Sequence, residues 1–254
     1  PMLMLQGMVP LLTLPEEQTM DIDQEAEHGL FLAAKISGLI AAHYRLSQNK
    51  SILQPVPGKL FHENFLTMFH GSAPTEEQRR MLDAAQILQM EHSFNAGTFA
   101  DQAALEMAKE IGSPDKAGAY VRDCLANKVK IMGMGHREYR TVDPRAKILK
   151  PMAMELCQDA ESKNLLDTLV AVEEACQRAF ADKDKEIWAN VEFYKGAVFH
   201  SLGIPTHFFT AMFAMSRVYG YVAHYLEFSK NSRLIRPRAR YVGPPVGQRD
   251  KSAA

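Results

Sequence analysis

The sequence contains few cysteines, and their number and spacing exclude two kinds of site. Its 254 residues include three cysteines, Cys124, Cys157 and Cys176, which are far apart and form no CxxC pair. An odd number with this spacing argues against a disulfide framework and against a zinc site. The sequence therefore predicts a protein of a reducing compartment without a metal centre.

A long apolar run and an excess of charge are also missing. No stretch is apolar over the length needed to cross a bilayer, and we expect no signal peptide. The formal net charge is −1, so no overall field attracts nucleic acid or an anionic membrane. The basic, proline-broken segment over residues 233–240 is either a local nucleic-acid patch or, as short basic runs usually are, a solvated surface.

Strand signals are scarce, whereas helical patterns recur along the chain. Apolar residues at helical spacing predict a helix over residues 23–47, and a second helix over residues 63–70 ends at Gly71. Thr75 begins the next helix with a capping box that Gln78 completes. Further helices are expected over residues 101–111, 113–128, 144–157, 162–180 and 206–228. Residues 1–15 show no clear period, and the predicted fold is all-α.

Residues 130–145 are the most distinctive stretch of the sequence. Gly133 and Gly135 lead into a histidine, and glycine allows a backbone to take unusual angles or to approach a ligand closely. Asp143 has the character of an N-cap, because a proline follows it at the first helical position. The ionisable side chains that suit an anionic substrate are those of His136, Arg140 and Arg145. From local features alone, the stretch could equally be structural.

Two further side chains have both a functional and a structural interpretation. His92 follows the apolar face of the helix that Thr75 begins, where a histidine is more often a core residue than a ligand. Glu192 is an acid among aromatic residues, and burial disfavours the charged form of a carboxyl group, as a general base near neutrality requires. Glu192 could also be a surface residue in the first turn of a helix.

Several motifs, in order along the chain, carry a family resemblance. Residues 132–140 and 143–145 contain a Gly-x-Gly-His loop followed by Asp-Pro-Arg, and residues 190–194 read Asn-Val-Glu-Phe-Tyr. The remaining motifs are Glu-His-Ser-Phe-Asn at 91–95, Leu-Gly-Ile-Pro at 202–205, Phe-Thr at 209–210, Ser-Arg at 216–217 and the arginine-rich segment 233–238. Together they resemble the citrate synthase family in its compact bacterial and archaeal form.

The resemblance implies a two-domain, almost all-helical fold that works as a homodimer in the cytoplasm. Residues 101–222 would form a small domain inserted into a large helical domain made of residues 1–100 and 223–254. Acetyl-CoA would condense with oxaloacetate between the domains, and the citryl thioester would be hydrolysed without a metal or cofactor. The resemblance implies neither a nucleic-acid nor a membrane partner. A methylcitrate-type enzyme that uses propionyl-CoA is the alternative.

The resemblance also implies roles for individual residues. Glu192 would take a proton from the acetyl methyl group, and His136 would hydrogen-bond the oxaloacetate carbonyl and stabilise the alkoxide that forms. The side chains that would hold the dicarboxylate are those of His92, Arg145 and Arg236. The residues that would bind the coenzyme are Ile131, Met132, Gly133, Met134 and Gly135, with Arg140 facing its phosphates.

The chain departs from the family pattern in three places. Glu192 replaces an aspartate, and the amino-terminal portion of the family has no counterpart before Pro1. A long stretch with a Gly-Pro-Leu-His-Gly-Gly motif is missing between Ala100 and Asp101. Its histidine would stabilise the enolate, and losing one such donor typically costs about a hundred- to a thousandfold in rate. Either the sequence omits a segment of an ordinary enzyme, or the protein is shortened, has lost catalysis and acts in binding or assembly.

Overall fold

The computed structural model describes residues 1–91, 100–135, 141–181, 185–231, 233 and 240, except for the side chains of residues 100 and 101. Over these residues the only extended pairing is one isolated bridge, so the predicted all-α fold is confirmed. The helices are α1 (Met2–Met8), α2 (Gln24–Ser47), α3 (Phe61–His70), α4 (Glu76–Ile87), α5 (Ala100–Ile111), α6 (Ala117–Ala126), α7 (Pro144–Leu156), α8 (Ala160–Ala181), α9 (Val191–Ser201) and α10 (Phe209–Ser229).

The helix ends follow the capping signals of the sequence. The backbone N–H of Gln78 donates to the hydroxyl of Thr75 (3.2 Å), and the Thr75 N–H donates to the side-chain oxygen of Gln78 (2.9 Å). The Asp23 carboxylate accepts two backbone N–H groups from the first turn of α2. Gly71 ends α3 with a φ of 93°, which favours glycine. The predicted capping box at Thr75 and the predicted glycine end at Gly71 are confirmed.

Two segments differ from the expected pattern. Residues 1–15 show no clear period in the sequence, but Met2–Met8 is helical and buries Leu5. The almost uniformly apolar composition of α1 hides any helical period, and α1 contacts both α2 and α10. The helix expected from residue 113 instead begins with a 3₁₀ turn, Pro114–Lys116, and becomes α-helical at Ala117.

The helices pack in two groups joined by α4, which contacts α3 and α10 of the first group and α7 and α9 of the second. In the first group α2 packs against α3 and α10, and the Tyr44 ring stacks on Phe69 with centroids 3.8 Å apart. In the second group α9 contacts α5, α7 and α8, while α6 packs on α8. Residues 209–222 of the predicted small domain belong to α10, which packs against the first group. The predicted boundaries of the small domain, residues 101–222, stay a prediction. No helix of the described chain is long and apolar enough to cross a membrane.

Helix α9 is buried along almost its whole length. Every residue from Val191 to Phe199 is buried, and this run includes the charged side chains of Glu192 and Lys195. Burying a charged side chain costs folding free energy unless the charge is paired, so an unpaired buried charge is often retained for function. The two charged residues of α9 therefore mark the region in which a functional site is expected.

Candidate active site

The loop over residues 131–135 is attached to the segment that leads into α9. Met134 and Ala189 form an isolated antiparallel bridge, flanked by two backbone hydrogen bonds of 2.8 and 3.0 Å. Gly133 and Gly135 have φ values of 81° and 79°, so the loop needs glycine at both positions, as the sequence predicts. The predicted coenzyme loop is thus held beside the first turn of the helix that carries Glu192.

Replacing Gly133 with alanine is expected to destabilise the protein by about 1–3 kcal/mol, because alanine is strained at positive φ. A Cβ atom at this position would also lie 2.7 Å from Cδ2 of Phe193, in the first turn of α9. Thermal unfolding measures the effect. Gly38→Ala is the matched control, since no atom lies within 4 Å of its added Cβ, and an alanine there should be neutral or stabilising. Equal unfolding temperatures for the Gly133 variant and the wild type would contradict the close packing.

Asp143 orients the guanidinium group of Arg145. Its carboxylate accepts the Arg145 backbone N–H (2.9 Å), Nε (3.1 Å) and Nη2 (2.8 Å). The same buried carboxylate accepts the backbone N–H of Val191 (3.2 Å), the first residue of α9. Burial acts to raise the pKa of Asp143, but the hydrogen bonds from Arg145 outweigh it, and the pKa lies below its ordinary value. Asp143 therefore joins the start of α7 to the start of α9 as an ionised group.

Asp143→Asn is expected to lower the free energy of unfolding at pH 7 by about 1–3 kcal/mol. Because the pKa of Asp143 is lowered in the folded state, its stabilisation is complete above the unfolded-state value of about 4. It is lost as the pH falls through the lower folded-state value, so the difference between the two proteins should shrink below about pH 4. Urea unfolding over a pH series measures this difference. Asp167→Asn is the control, because the Asp167 side chain on α8 is 43% exposed and makes only a surface ion pair with Lys163. A difference for Asp143 that stays constant down to pH 2 would contradict the assignment.

Glu192 is a mostly buried acid, and within the described part of the chain no hydrogen bond fixes its carboxylate. The residue is 4% exposed, so the alternative of a surface glutamate is wrong. Among the described residues, no hydrogen bond or ion pair holds its carboxylate, whereas the nearby Asp143 carboxylate accepts four N–H groups. A carboxylate that is held by no hydrogen bond in a mostly buried position is suited to exchanging a proton with a ligand.

Arg217, on α10, was not given a role by the sequence, although Ser-Arg at 216–217 was one of the family motifs. Its buried Nε donates to the carbonyl oxygen of Gln89 (3.0 Å), and its Cζ lies 4.5 Å from the centre of the Phe213 ring. In the part of the chain that the structure describes, its Nη2 is buried without a hydrogen-bond partner. Burial lowers the pKa of Arg217, while Tyr221, Glu91 and, more weakly, Glu192 act to raise it and Arg145 acts to lower it; the guanidinium stays charged.

Lys195 brings a further cation to the same place. It lies on α9 three residues after Glu192, a spacing that puts both on one face of the helix. Its Nζ donates to the side-chain oxygen of Gln89 (2.8 Å) and lies 5.3 Å from the centre of the Phe213 ring. Gln89 thus contacts Lys195 through its side chain and Arg217 through its backbone. Buried cations close together are stabilised by an anion, so the site suits a ligand with more than one carboxylate.

The structure describes part of the predicted site. The predicted residues that it brings to this region are Arg145, Glu192 and the loop residues Ile131, Met132, Gly133, Met134 and Gly135. The predicted residues that lie outside the described part are His92, His136, Arg140 and Arg236. Their roles stay predictions. Over the described residues, no group of three or more His, Cys, Asp or Glu side chains could hold a metal ion.

The chain matches a protein-family model, citrate synthase C-terminal domain, in two parts that cover residues 1–101 and 99–238. The parts meet at residues 99–101, the junction at which the sequence resemblance predicts a missing stretch. The citrate synthase of Deinococcus radiodurans is 34% identical over 275 aligned positions, which cover 96% of this chain and 72% of the relative. Since the aligned positions outnumber the 254 residues of the chain, the relative has positions without a counterpart here.

Two further comparisons concern the ligands of related enzymes. The structure of citrate synthase from Thermoplasma acidophilum, in a ternary complex with carboxymethyl coenzyme A and oxaloacetate, is similar with a TM-score of 0.81 at 28% identity. The similarity covers 97% of this chain and 72% of that one. A 2-methylcitrate synthase of Shewanella oneidensis is 34% identical over 210 positions, which cover 71% of this chain and 55% of the relative.

Proposed function

Because the chain belongs to the citrate synthase family, an acyltransferase family that forms carbon–carbon bonds, we propose that it condenses acetyl-CoA with oxaloacetate and hydrolyses the citryl thioester to citrate and CoA. The observation that carries the proposal is the buried guanidinium of Arg217, whose Nη2 has no hydrogen-bond partner among the described residues and which is close enough to Arg145 and Glu192 for their charges to act on it. Two guanidinium groups match two carboxylates. The carboxylate of Glu192 supplies the proton acceptor that the condensation requires.

In the proposed reaction, Glu192 removes a proton from the methyl group of acetyl-CoA. The resulting carbanion attacks the ketone carbon of oxaloacetate, and the ketone oxygen becomes an alkoxide as the carbon–carbon bond forms. His136 would donate a hydrogen bond to that oxygen and stabilise its charge. Water then cleaves the thioester of the condensed product and releases CoA.

Substrate orientation would come from the two arginines. Asp143 fixes the direction of the Arg145 side chain, and the Gln89 carbonyl fixes that of Arg217. A planar guanidinium can bind a carboxylate through two parallel hydrogen bonds, so a side chain held in this way sets both the position and the angle of the substrate. We propose that Arg236 and His92 complete the oxaloacetate site, and that residues 131–135 with Arg140 bind the coenzyme.

The missing stretch sets an expected limit on the rate. Helix α5 runs from Ala100 to Ile111 without interruption across the junction with Asp101, where the family matches meet. The enolate oxygen of the acetyl group would then lack its family donor. We propose that this chain binds oxaloacetate and abstracts the methyl proton, but turns over about a hundred- to a thousandfold more slowly than a relative that has the donor.

We propose a homodimer that forms through the face made by α1, α2 and α10. An apolar groove of about 660 Å³ lies between these helices. The exposed apolar side chains on or near this face include those of Leu3, Leu11, Leu30, Tyr221, Tyr225 and Phe228. An apolar surface of this kind marks an interaction site, and a second copy of the chain would cover it.

We also propose the predicted domain division and a cytoplasmic location. The packing of α5, α6, α8 and α9 into one group supports a small domain within residues 101–222, between the large-domain segments 1–100 and 223–254. The three cysteines are free and buried, which supports a reducing compartment such as the cytoplasm.

The proposal is tested by thiol release from acetyl-CoA or propionyl-CoA, with and without oxaloacetate. We expect oxaloacetate-dependent release that is faster with acetyl-CoA and is unchanged after dialysis against EDTA. Faster release with propionyl-CoA would favour the methylcitrate alternative. Binding of oxaloacetate without release from either thioester would favour a non-catalytic binding protein. The intact mass of the assayed protein establishes whether a segment lies between Ala100 and Asp101.

A further inference from the structure

Glu173 is a buried carboxylate on α8 that no step of the proposed reaction uses. It accepts hydrogen bonds from three other parts of the chain. The donors are Nζ of Lys150 (2.7 Å), the backbone N–H of Ala189 (3.4 Å) and the hydroxyl of Tyr194. Both carboxylate oxygens of Glu173 therefore accept hydrogen bonds, and the helix that carries Glu173, α8, contributes no residue to the candidate site.

Each donor belongs to a segment that carries part of the candidate site. Lys150 is on α7, which begins with Arg145 in its first turn. Tyr194 is on α9, two residues after Glu192. Ala189 forms the bridge with Met134, and so connects Glu173 to the loop over residues 131–135.

The charges and protonation states of these groups keep the hydrogen bonds to Glu173 in place. Burial and the neighbouring Glu173 raise the pKa of Tyr194, so its hydroxyl keeps its proton and remains a donor at neutral pH. Lys150 supplies the cation that a buried carboxylate requires. Because an ionised carboxylate is only an acceptor, it can bind all three donors at once and holds them in one arrangement.

We propose that Glu173 is a positioning residue for the condensation. It aligns Arg145, Glu192 and the loop over residues 131–135, because it binds one donor from each of the three segments that carry them. This inference rests on the proposed function. Glu173 acts through Lys150, Tyr194 and Ala189 rather than on the substrate. Misplacement of reacting groups by about 1 Å can lower a rate about a hundredfold, so a support common to all three segments has a direct effect on turnover.

The test compares Glu173→Gln with Glu174→Gln, the adjacent glutamate, whose side chain is 56% exposed. Glutamine keeps the shape of Glu173 but removes its charge and turns an amide N–H₂ towards groups that are donors. We expect kcat to fall about ten- to a hundredfold in Glu173→Gln, with KM for oxaloacetate within about twofold of the wild type. A purely structural role would lower the unfolding temperature without changing kcat at temperatures at which the variant is folded.

Tyr194→Phe keeps the ring and removes one donor, so it tests the same contact with less risk to folding. We expect a smaller fall in kcat, and a fall in the double variant that is less than the product of the two single effects. Unchanged kcat in both folded variants would overturn the proposal.

Hydrogen exchange provides a readout that does not depend on turnover. If the wild-type chain released no thiol, the proposed function would fail, but hydrogen exchange would still test whether Glu173 holds these segments in place. We expect amides of residues 131–135 and 188–195 to exchange about tenfold faster in Glu173→Gln than in Glu174→Gln. Equal exchange of these segments in the two variants would overturn the inference.

Discussion

Glu192→Gln is expected to lower the rate of condensation about a thousandfold and to leave the affinity for oxaloacetate nearly unchanged. Glutamine has almost the same shape, but its amide cannot take the methyl proton of acetyl-CoA. The carboxylate of Glu192 contributes no hydrogen bond or ion pair to the described fold, so the variant should remain folded. Thiol release measures the rate, and calorimetric titration with oxaloacetate measures the affinity.

Two further variants separate the acid function from its position. Glu192→Asp keeps the carboxylate but withdraws it by one methylene, so its rate should lie between those of the wild type and Glu192→Gln. Glu186→Gln changes an exposed glutamate ahead of α9 and should have no effect. A rate for Glu192→Gln within threefold of that of Glu186→Gln would contradict the role of Glu192 as the base.

Arg217→Met is expected to weaken oxaloacetate binding by about 2–5 kcal/mol, or roughly 30- to several-thousandfold in Kd. Methionine keeps an unbranched stem near the Phe213 ring and removes the guanidinium that would pair with a carboxylate. The fold itself should lose little or even gain stability, because Nη2 of Arg217 is buried without a hydrogen-bond partner among the described residues. Calorimetry and thermal unfolding of the same samples measure both effects.

Arg217→Lys distinguishes charge from shape. Lysine keeps the positive charge but lacks the planar fork, so its Kd for oxaloacetate should lie between those of the wild type and Arg217→Met. Arg178→Met, at an exposed position of α8, is the control for loss of a positive charge. Wild-type affinity in Arg217→Met, or a large loss of affinity in Arg178→Met, would contradict direct contact between Arg217 and the substrate.

The parts of the fold that local chemistry decides were predictable from the sequence. The N-caps at Thr75 and Asp143 and the glycine at position 71 act on neighbouring backbone groups, and the structure has them where the sequence predicts them. Helix α1 was missed because its apolar composition shows no period. Helix α1 packs against α2 and α10, and contacts between such distant segments cannot be read from a local sequence pattern.

The site was less predictable because it depends on contacts between distant segments. Glu192 could be a surface or a buried residue until the packing of α9 against α5, α7 and α8 was known. Arg217 was visible only as part of a motif, and its role emerged from its hydrogen bond to Gln89, which is 128 positions away in the chain. Glu173 had no sequence signal, since its partners lie on α7, on α9 and in the preceding segment.

The central claim is that this chain joins the methyl carbon of acetyl-CoA to the ketone carbon of oxaloacetate. Carbon-13 NMR of a reaction with methyl-labelled acetyl-CoA follows that carbon directly. We predict that the label appears in a methylene group of citrate, that it requires oxaloacetate, and that the signal is lost in Glu192→Gln. Label that stays in acetyl-CoA, or appears only as acetate, would contradict the claim.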